Sequence, residues 1–226
     1  MLIADSTIGE KMFTTVLGMI IHVFLFATPQ GTLAPFVPGE ILVRFAPASE
    51  GAEAVARTVR VSPLDLKALD SVIDSLETAA NVPMSVKQLS SGDWVVLAVD
   101  SDRLTERAAH QLRERRTVAG VQVSPYEPEA SAPGTFPKEL IISFLPGTQE
   151  AEAVSQKLAQ TDETAFAQLT ADLIKELDLP LTAKATDAAT IQVQIDLKAL
   201  TMTLVERLKA LPDIEAAQPN FILQFK

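Results

Sequence analysis

The sequence has no cysteine and few of the other side chains on which enzymes most often rely. The absence of cysteine excludes disulfide bonds, thiolate metal sites and cysteine nucleophiles. Only two histidines occur, His22 and His110, whereas a serine hydrolase usually needs a histidine to activate its nucleophile. His22 lies in an apolar N-terminal run, and His110 lies in the charged stretch 102–116, which is typical of a surface helix. One tryptophan and one tyrosine leave few platforms for stacking bases or sugars.

Positive charge is also scarce, because 19 basic residues stand against 29 acidic ones and the formal net charge is −10. Nucleic-acid binding needs a basic surface that neutralises phosphates, so we expect no nucleic-acid partner. The sequence contains no Gly-rich phosphate loop, no G-x-S-x-G elbow and no H-E-x-x-H motif. We therefore predict a protein that is not an enzyme and that holds neither a metal nor a cofactor.

An apolar run near the N-terminus, residues 16–27, indicates a targeting segment. It is shorter than the roughly 20 residues that a membrane-spanning helix needs, and it suits the central region of a secretory signal peptide. Lys11 precedes the run, and Thr32-Leu33-Ala34 offers the small residues that a signal peptidase requires. We predict a signal peptide at residues 1–34 and a secreted or periplasmic protein that is free of the membrane once the leader is removed. An uncleaved N-terminal anchor is the alternative.

Two strand-like segments, VPGEILVRF at 37–45 and FPKELIISF at 136–144, open two copies of one longer pattern. Each copy continues with apolar residues at helical spacing, a hairpin, a second helix and a short strand that meets a proline. This order predicts a four-stranded antiparallel sheet with helices on one face. We expect an α+β protein of two tandem ferredoxin-like (βαββαβ) domains, 35–127 and 136–226, joined by a linker of residues 128–135.

The segments PGEILVRF at 38–45 and IEAAQPN at 214–220 also resemble the two ends of a known family of domains. The prodomains of subtilisin-type serine proteases often begin with PGE and a strand ending in a basic residue and phenylalanine, and they end in a similar Pro-Asn segment. The resemblance covers nearly all of residues 36–226, as a tandem pair without the catalytic domain. Each copy departs from the pattern at one end, since Lys138 replaces the glycine and Tyr126 replaces the asparagine.

This resemblance implies an exported, stand-alone protein that binds and inhibits, or chaperones, a subtilisin-like serine protease. In the family the open sheet face packs on the protease, and the C-terminal segment lies along its active-site cleft. The protease-contact residues that we predict are therefore the outward-facing Gln192 and Gln194 of the second sheet and the C-terminal residues Asn220, Phe221, Ile222, Leu223, Gln224, Phe225 and Lys226. The alternative for this C-terminal segment is that the last strand simply continues through it.

Two other functions fit the same residues. The protein could be a non-catalytic interaction or assembly module of an exported complex, or the truncated precursor of a subtilisin-like protease. Loss of binding when residues 220–226 are removed would favour the inhibitor, whereas binding that survives would favour the module. The sequence does not identify the target protease, the oligomeric state or the number of domains that bind.

Overall fold

The computed structural model describes residues 34–60, 66–125 and 138–222, and most of the predicted signal peptide lies outside them. Within these residues the chain forms two four-stranded antiparallel sheets and six α-helices, which confirms the predicted α+β class. None of the helices in the described ranges is both long and apolar enough to cross a membrane.

The elements follow the predicted order twice. The first copy comprises β1 (Phe36–Phe45), α1 (Glu50–Arg60), a 3-10 turn (Leu66–Leu69), α2 (Asp70–Ala80), β2 (Met84–Ser90), β3 (Trp94–Val99), α3 (Ser101–Arg113) and β4 (Val118–Pro125). The second comprises β5 (Lys138–Phe144), α4 (Gln149–Leu158), α5 (Thr164–Leu177), β6 (Leu181–Asp187), β7 (Thr190–Ile195), α6 (Leu197–Lys209) and β8 (Ile214–Phe221).

Equivalent polar residues cap the start of α3 and α6 and the end of α2 and α5. Asp100 and Asp196 cap α3 and α6, because each side chain accepts a hydrogen bond from the backbone N–H three residues later, at 3.0 and 2.9 Å. Asn81 and Asp178 end α2 and α5 in the left-handed conformation, with φ angles of 53° and 55°. The repeat is therefore preserved down to the residues that set helix boundaries.

The last strand of each copy pairs with the first strand of the other copy. The strand orders are β2-β3-β1-β8, here called sheet A, and β4-β5-β7-β6, here called sheet B. This exchange corrects the expectation that each copy would close its own sheet. The apolar pattern of β4 and β8 specifies a buried face, but β1 and β5 offer equivalent edges, so the pattern alone does not specify which edge each strand joins.

The helix before each exchanged strand moves with it. α6 packs on β1 and β8 of sheet A, and α3 packs on β4 and β5 of sheet B. The predicted domains 35–127 and 136–226 thus each contribute elements to both sheets. The predicted linker, 128–135, lies outside the described residues, but the strands on either side of it are neighbours in sheet B, where Pro125 is the register partner of Lys138.

A single hydrophobic core connects the two sheets. Ile41 and Val43 of β1, Leu140 and Ile142 of β5, and the inner faces of the helices belong to one cluster of buried residues. In β1 the buried residues alternate with half-buried ones, as expected where one sheet face meets helices and the other is uncovered. Each sheet therefore keeps one face directed away from the core.

Gly39 explains why the PGE sequence occurs at the start of β1. Its φ of +82° lies in the region that glycine adopts readily, and the pairing of β1 with β8 shifts register between Val37 and Ile41. The Gly39 N–H donates to Thr201 Oγ on α6 at 2.7 Å. In β5, Lys138 takes the equivalent place and the register there is regular, so the bulge is specific to sheet A.

Candidate functional site

The segments PGEILVRF and IEAAQPN, on which the expected prodomain resemblance rests, lie in adjacent strands of sheet A. Residues 38–45 lie in β1 and residues 214–220 lie in β8, and the register pairs Ile41 with Pro219 and Val43 with Ala217. The first copy matches the start of the prodomain pattern, and the second copy matches its end. The strand exchange places these two segments side by side.

The predicted C-terminal contact segment begins inside β8 and continues past it. Asn220 Nδ2 donates to Glu40 Oε2 at 2.8 Å, and the Phe221 ring meets the Phe36 ring edge-on at 6.4 Å. Ile222 follows the strand, donates its N–H to the Pro35 carbonyl at 2.8 Å and is 45% exposed. Asn220 and Phe221 thus continue the strand, as the alternative reading of this segment predicted. The predicted contacts Leu223, Gln224, Phe225 and Lys226 lie outside the described residues.

The outward face of sheet A has an apolar centre. Because Ile41, Val43 and Phe45 point into the core, the residues that alternate with them, Glu40, Leu42 and Arg44, point outward. Leu42 pairs with Val96 on β3, and Val96 is buried without belonging to the core cluster. Trp94 lies on the same side of β3, two residues before Val96. The centre of a protein interface is usually apolar and poor in charge, as the centre of this face is.

Charged residues surround this apolar centre. The Arg44 guanidinium lies 5.1 Å from the centroid of the Trp94 ring and forms an ion pair with Glu215 at 2.8 Å. Arg44 Nε is buried without a hydrogen-bond partner in the described structure. On the other side Glu40 pairs with Lys87. Tryptophan and arginine are the residues most enriched among those that dominate binding energy at interfaces.

The outward face of sheet B is more polar, because Gln192 and Thr190 stand at the places of Val96 and Trp94. Ile141 pairs with Gln192 as Leu42 pairs with Val96, and Glu139 pairs with Gln194 as Glu40 pairs with Ala98. Gln192 Nε2 donates to Glu139. The predicted contact residues Gln192 and Gln194 therefore lie on the outward face of their sheet. The C-terminal segment leaves sheet A, so the structure does not bring the two predicted contact regions onto one face.

The sequence did not lead us to expect an apolar centre on the outward face of sheet A, formed by the half-buried Leu42 and Trp94 and the buried Val96. A signal for them was present, because β3 is an unbroken apolar run whereas β7 alternates cleanly. An unbroken apolar run is typical of a strand that is buried on both faces.

A cluster of three arginines, Arg103, Arg107 and Arg207, ties the exchanged helices to the ends of their neighbours. Arg103 on α3 binds Glu77 on α2 through two bonds of 2.8 and 2.9 Å, and this contact raises the pKa of Arg103. Arg107 donates to the Asn81 carbonyl at 2.6 Å, and its burial lowers its pKa. Arg207 on α6 bonds the Ala80 carbonyl and Asp178 at 2.8 and 2.7 Å. These groups serve structure, since each arginine is engaged by neighbouring helix ends.

The described residues provide no arrangement suited to metal binding, since no group of three metal-ligating side chains occurs among them. His110 is exposed on α3 and lies 3.6 Å from Glu114, as a surface-helix histidine would. In comparisons with family models, curated proteins and solved structures, the chain matched none. Function is thus inferred from the residues of the chain itself.

Proposed function

We propose that this protein binds and inhibits, or chaperones, a subtilisin-like serine protease through sheet A and the segment that follows β8. The observation that carries the proposal is the pairing of β1 with β8. It unites the PGEILVRF and IEAAQPN segments in one sheet, at the edge from which the C-terminal segment continues. In the family that these segments resemble, an open sheet and the segment after its last strand are the two parts that meet the protease.

We also propose a topology for the unit that is built around each sheet. Sheet A with α1, α2 and α6 would form one ferredoxin-like (βαββαβ) unit, in which α6 and β8 of the second copy replace α3 and β4 of the first. Sheet B would form the reciprocal unit. The strand orders support this assignment, because β8 lies beside β1 where the fourth strand of such a unit belongs.

We assign the protease-binding face to the outward side of sheet A rather than to Gln192 and Gln194. Leu42, Val96 and Trp94 give sheet A the apolar centre that buried interfaces favour, whereas in sheet B glutamine and threonine replace Val96 and Trp94 and only the place of Leu42 stays apolar, as Ile141. The proposal also retains export through a signal peptide at residues 1–34, since an inhibitor of a secreted protease has to reach the same compartment.

The test is a titration of the purified protein against a subtilisin-type protease, with cleavage of a chromogenic peptide as the readout. We expect dose-dependent inhibition. Removal of residues 223–226 should weaken it by at least about ten-fold if this segment enters the cleft by strand addition. Trp94→Thr, which installs the residue found at the equivalent position 190, should also weaken inhibition, since a truncated interface tryptophan commonly costs more than 1 kcal/mol.

Thr190→Ala is the matched control on sheet B and should leave inhibition unchanged. Unaltered proteolysis at micromolar protein, together with rapid digestion of the chain, would refute the proposal. Binding without inhibition that survives removal of residues 223–226 would support the interaction-module function instead.

A further inference from the structure

The outer edge of β4 lacks the features that protect the other described edges of the two sheets. An edge strand exposes unpaired N–H and C=O groups, and proteins usually discourage pairing there with lysine or proline. Lysine stands at the midpoint of two edge strands, Lys87 in β2 and Lys184 in β6. The edge strand β8 contains Pro219. In contrast, β4 has no charged residue, and its only proline is its last residue.

The proline of β8 is replaced by valine at the equivalent place of β4. Val123 pairs with Leu140 of β5 as Pro219 pairs with Ile41 of β1. A proline in an edge strand removes a donor that a further strand would need. Val123 keeps its N–H, so β4 retains a hydrogen-bonding group that its counterpart lacks.

The backbone of Val121 and Val123 is directed to the outer side of β4. On β5, Phe144 donates its N–H to the Ala189 carbonyl next to β7, and so away from β4. Backbone direction alternates along an antiparallel strand, so Ile142 turns away from β4 as well. Its register partner Val121 therefore turns its N–H and C=O outward. Val123, two residues further on, points the same way.

Arg113 shields part of this edge. From the end of α3, its Nη2 donates to the Val121 carbonyl at 3.3 Å, which is longer than a typical N–H···O hydrogen bond. Sheet B ends at β4, so no described strand lies beside the N–H groups of Val121 and Val123. A strand that arrives at this edge has to displace one weak bond from an exposed arginine.

We propose that β4 pairs antiparallel with β4 of a second copy of this chain, which joins two four-stranded sheets B into one continuous sheet. Two identical antiparallel strands are related by a two-fold axis, so the contact closes with two copies. The axis passes through Gln122, and Val121 exchanges backbone hydrogen bonds with the partner's Val123. This inference does not depend on the proposed protease binding.

A second copy suits this edge because self-pairing brings the mid-strand residue opposite itself. In β2 and β6 that residue is lysine, and like charges directly opposite each other destabilise a strand pair. In β4 it is the exposed Gln122, whose amide both donates and accepts. On the inner face, Val121 belongs to the core and Val123 packs against it. Pairing therefore extends the apolar layer of sheet B from one copy into the next.

Sedimentation equilibrium of the purified protein, from about 1 to about 500 µM, tests the pairing. We expect a reversible monomer–dimer equilibrium with a Kd of about 10–100 µM, since one strand pair is a small interface. Added salt should strengthen it, because the pairing contains no ion pair and each chain carries a net charge of −10. The backbone amides of Val121 and Val123 should exchange hydrogen more slowly in the dimer than in the dilute monomer.

Two variants copy the protection of the other edges. Val123→Pro installs the residue of β8, and Gln122→Lys installs the mid-strand lysine of β2 and β6. Each should make the protein monomeric at every concentration tested. Gln218→Lys is the matched control, because Gln218 is the equivalent exposed residue of β8 and the change in charge is the same. It should leave the dimer unchanged. Circular dichroism verifies that each variant is folded.

A third variant removes the shielding arginine. Arg113→Gln should strengthen dimerisation by about two- to ten-fold, because the Val121 carbonyl becomes available without the loss of a competing bond. Arg116→Gln, a change of the same charge at an exposed residue, is its control. A protein that is monomeric at all concentrations, a dimer that both β4 variants retain, or amides of Val121 and Val123 that dimerisation does not protect would each overturn the proposal.

Discussion

Asn220 donates a hydrogen bond to Glu40 across 2.8 Å, although the two residues are 180 positions apart in the chain. Glu40 belongs to the PGE sequence that opens β1, and Asn220 belongs to the Pro-Asn sequence near the end of β8. The bond therefore links the two segments on which the proposed function depends, and it forms only because β8 joins sheet A.

Replacing Asn220 by alanine should destabilise the protein by about 1 kcal/mol, because a half-buried hydrogen bond to a carboxylate is lost. Urea unfolding monitored by circular dichroism measures the effect. Gln122→Ala on the edge strand β4 is the control, since Gln122 is an exposed side chain of a similar strand. Equal stability of the two variants would show that the bond contributes nothing.

Cleavage of the chain between β4 and β5 should leave the two fragments associated. Each fragment contributes a helix and a strand to the other's sheet, so the fragments share one hydrophobic core. A protease site inserted between Ala130 and Ser131 allows the cut. Size-exclusion chromatography under native conditions should then show one species of unchanged size. Separation into two folded fragments would contradict the exchange of strands.

Gly39→Ala should destabilise the protein more than Gly147→Ala does. Both glycines have positive φ angles, of +82° and +81°, so each substitution carries a backbone cost of about 1–2 kcal/mol. A Cβ at position 39 would lie only 3.2 Å from the Leu197 side chain, whereas position 147 opens to free space. Thermal unfolding of the two variants isolates the contribution of this contact. A larger loss for Gly147→Ala would mean that the bulge in β1 adjusts without strain.

Arg207→Gln should cost about 1–2 kcal/mol, because Arg207 supplies hydrogen bonds to the Ala80 carbonyl and to Asp178 and thereby ties α6 to the ends of α2 and α5. Lys209→Gln, two residues further along α6, disrupts an exposed pair with Glu206 and should have little effect. Chemical denaturation of both variants provides the comparison. If they are equally stable, the arginine does not hold the exchanged helix.

The repeat made the elements and their order predictable. Alternating apolar residues mark the strands, and equivalent residues such as Asp100 and Asp196 begin the helices. The exchange was not predictable from these patterns. Val121 of β4 and Ala217 of β8 each present a buried side chain to a sheet, and either strand could have completed either sheet. Whether a strand joins the edge of β1 or that of β5 depends on packing between helices that lie far apart in the chain.

The candidate site was predictable only in part, for the same reason. Alternation correctly directed Gln192 and Gln194 to an outward face, but it could not reveal that the C-terminal segment leaves the other sheet. The contrast between Trp94 and Thr190 becomes meaningful only after the two strands are recognised as equivalent. Functional differences between copies of a repeat therefore emerge from comparing their faces position by position.

The position of β8 also has a consequence for the order in which the protein can be made. β1 is synthesised near the beginning of the chain, yet its outer neighbour in sheet A is the final described strand, Ile214–Phe221. Pairings between distant segments form slowly, because a long loop has to close before they gain any stability. Sheet A can therefore be completed only after residues 214–221 have left the ribosome, and until then the edge of β1 stays open to any other strand it meets.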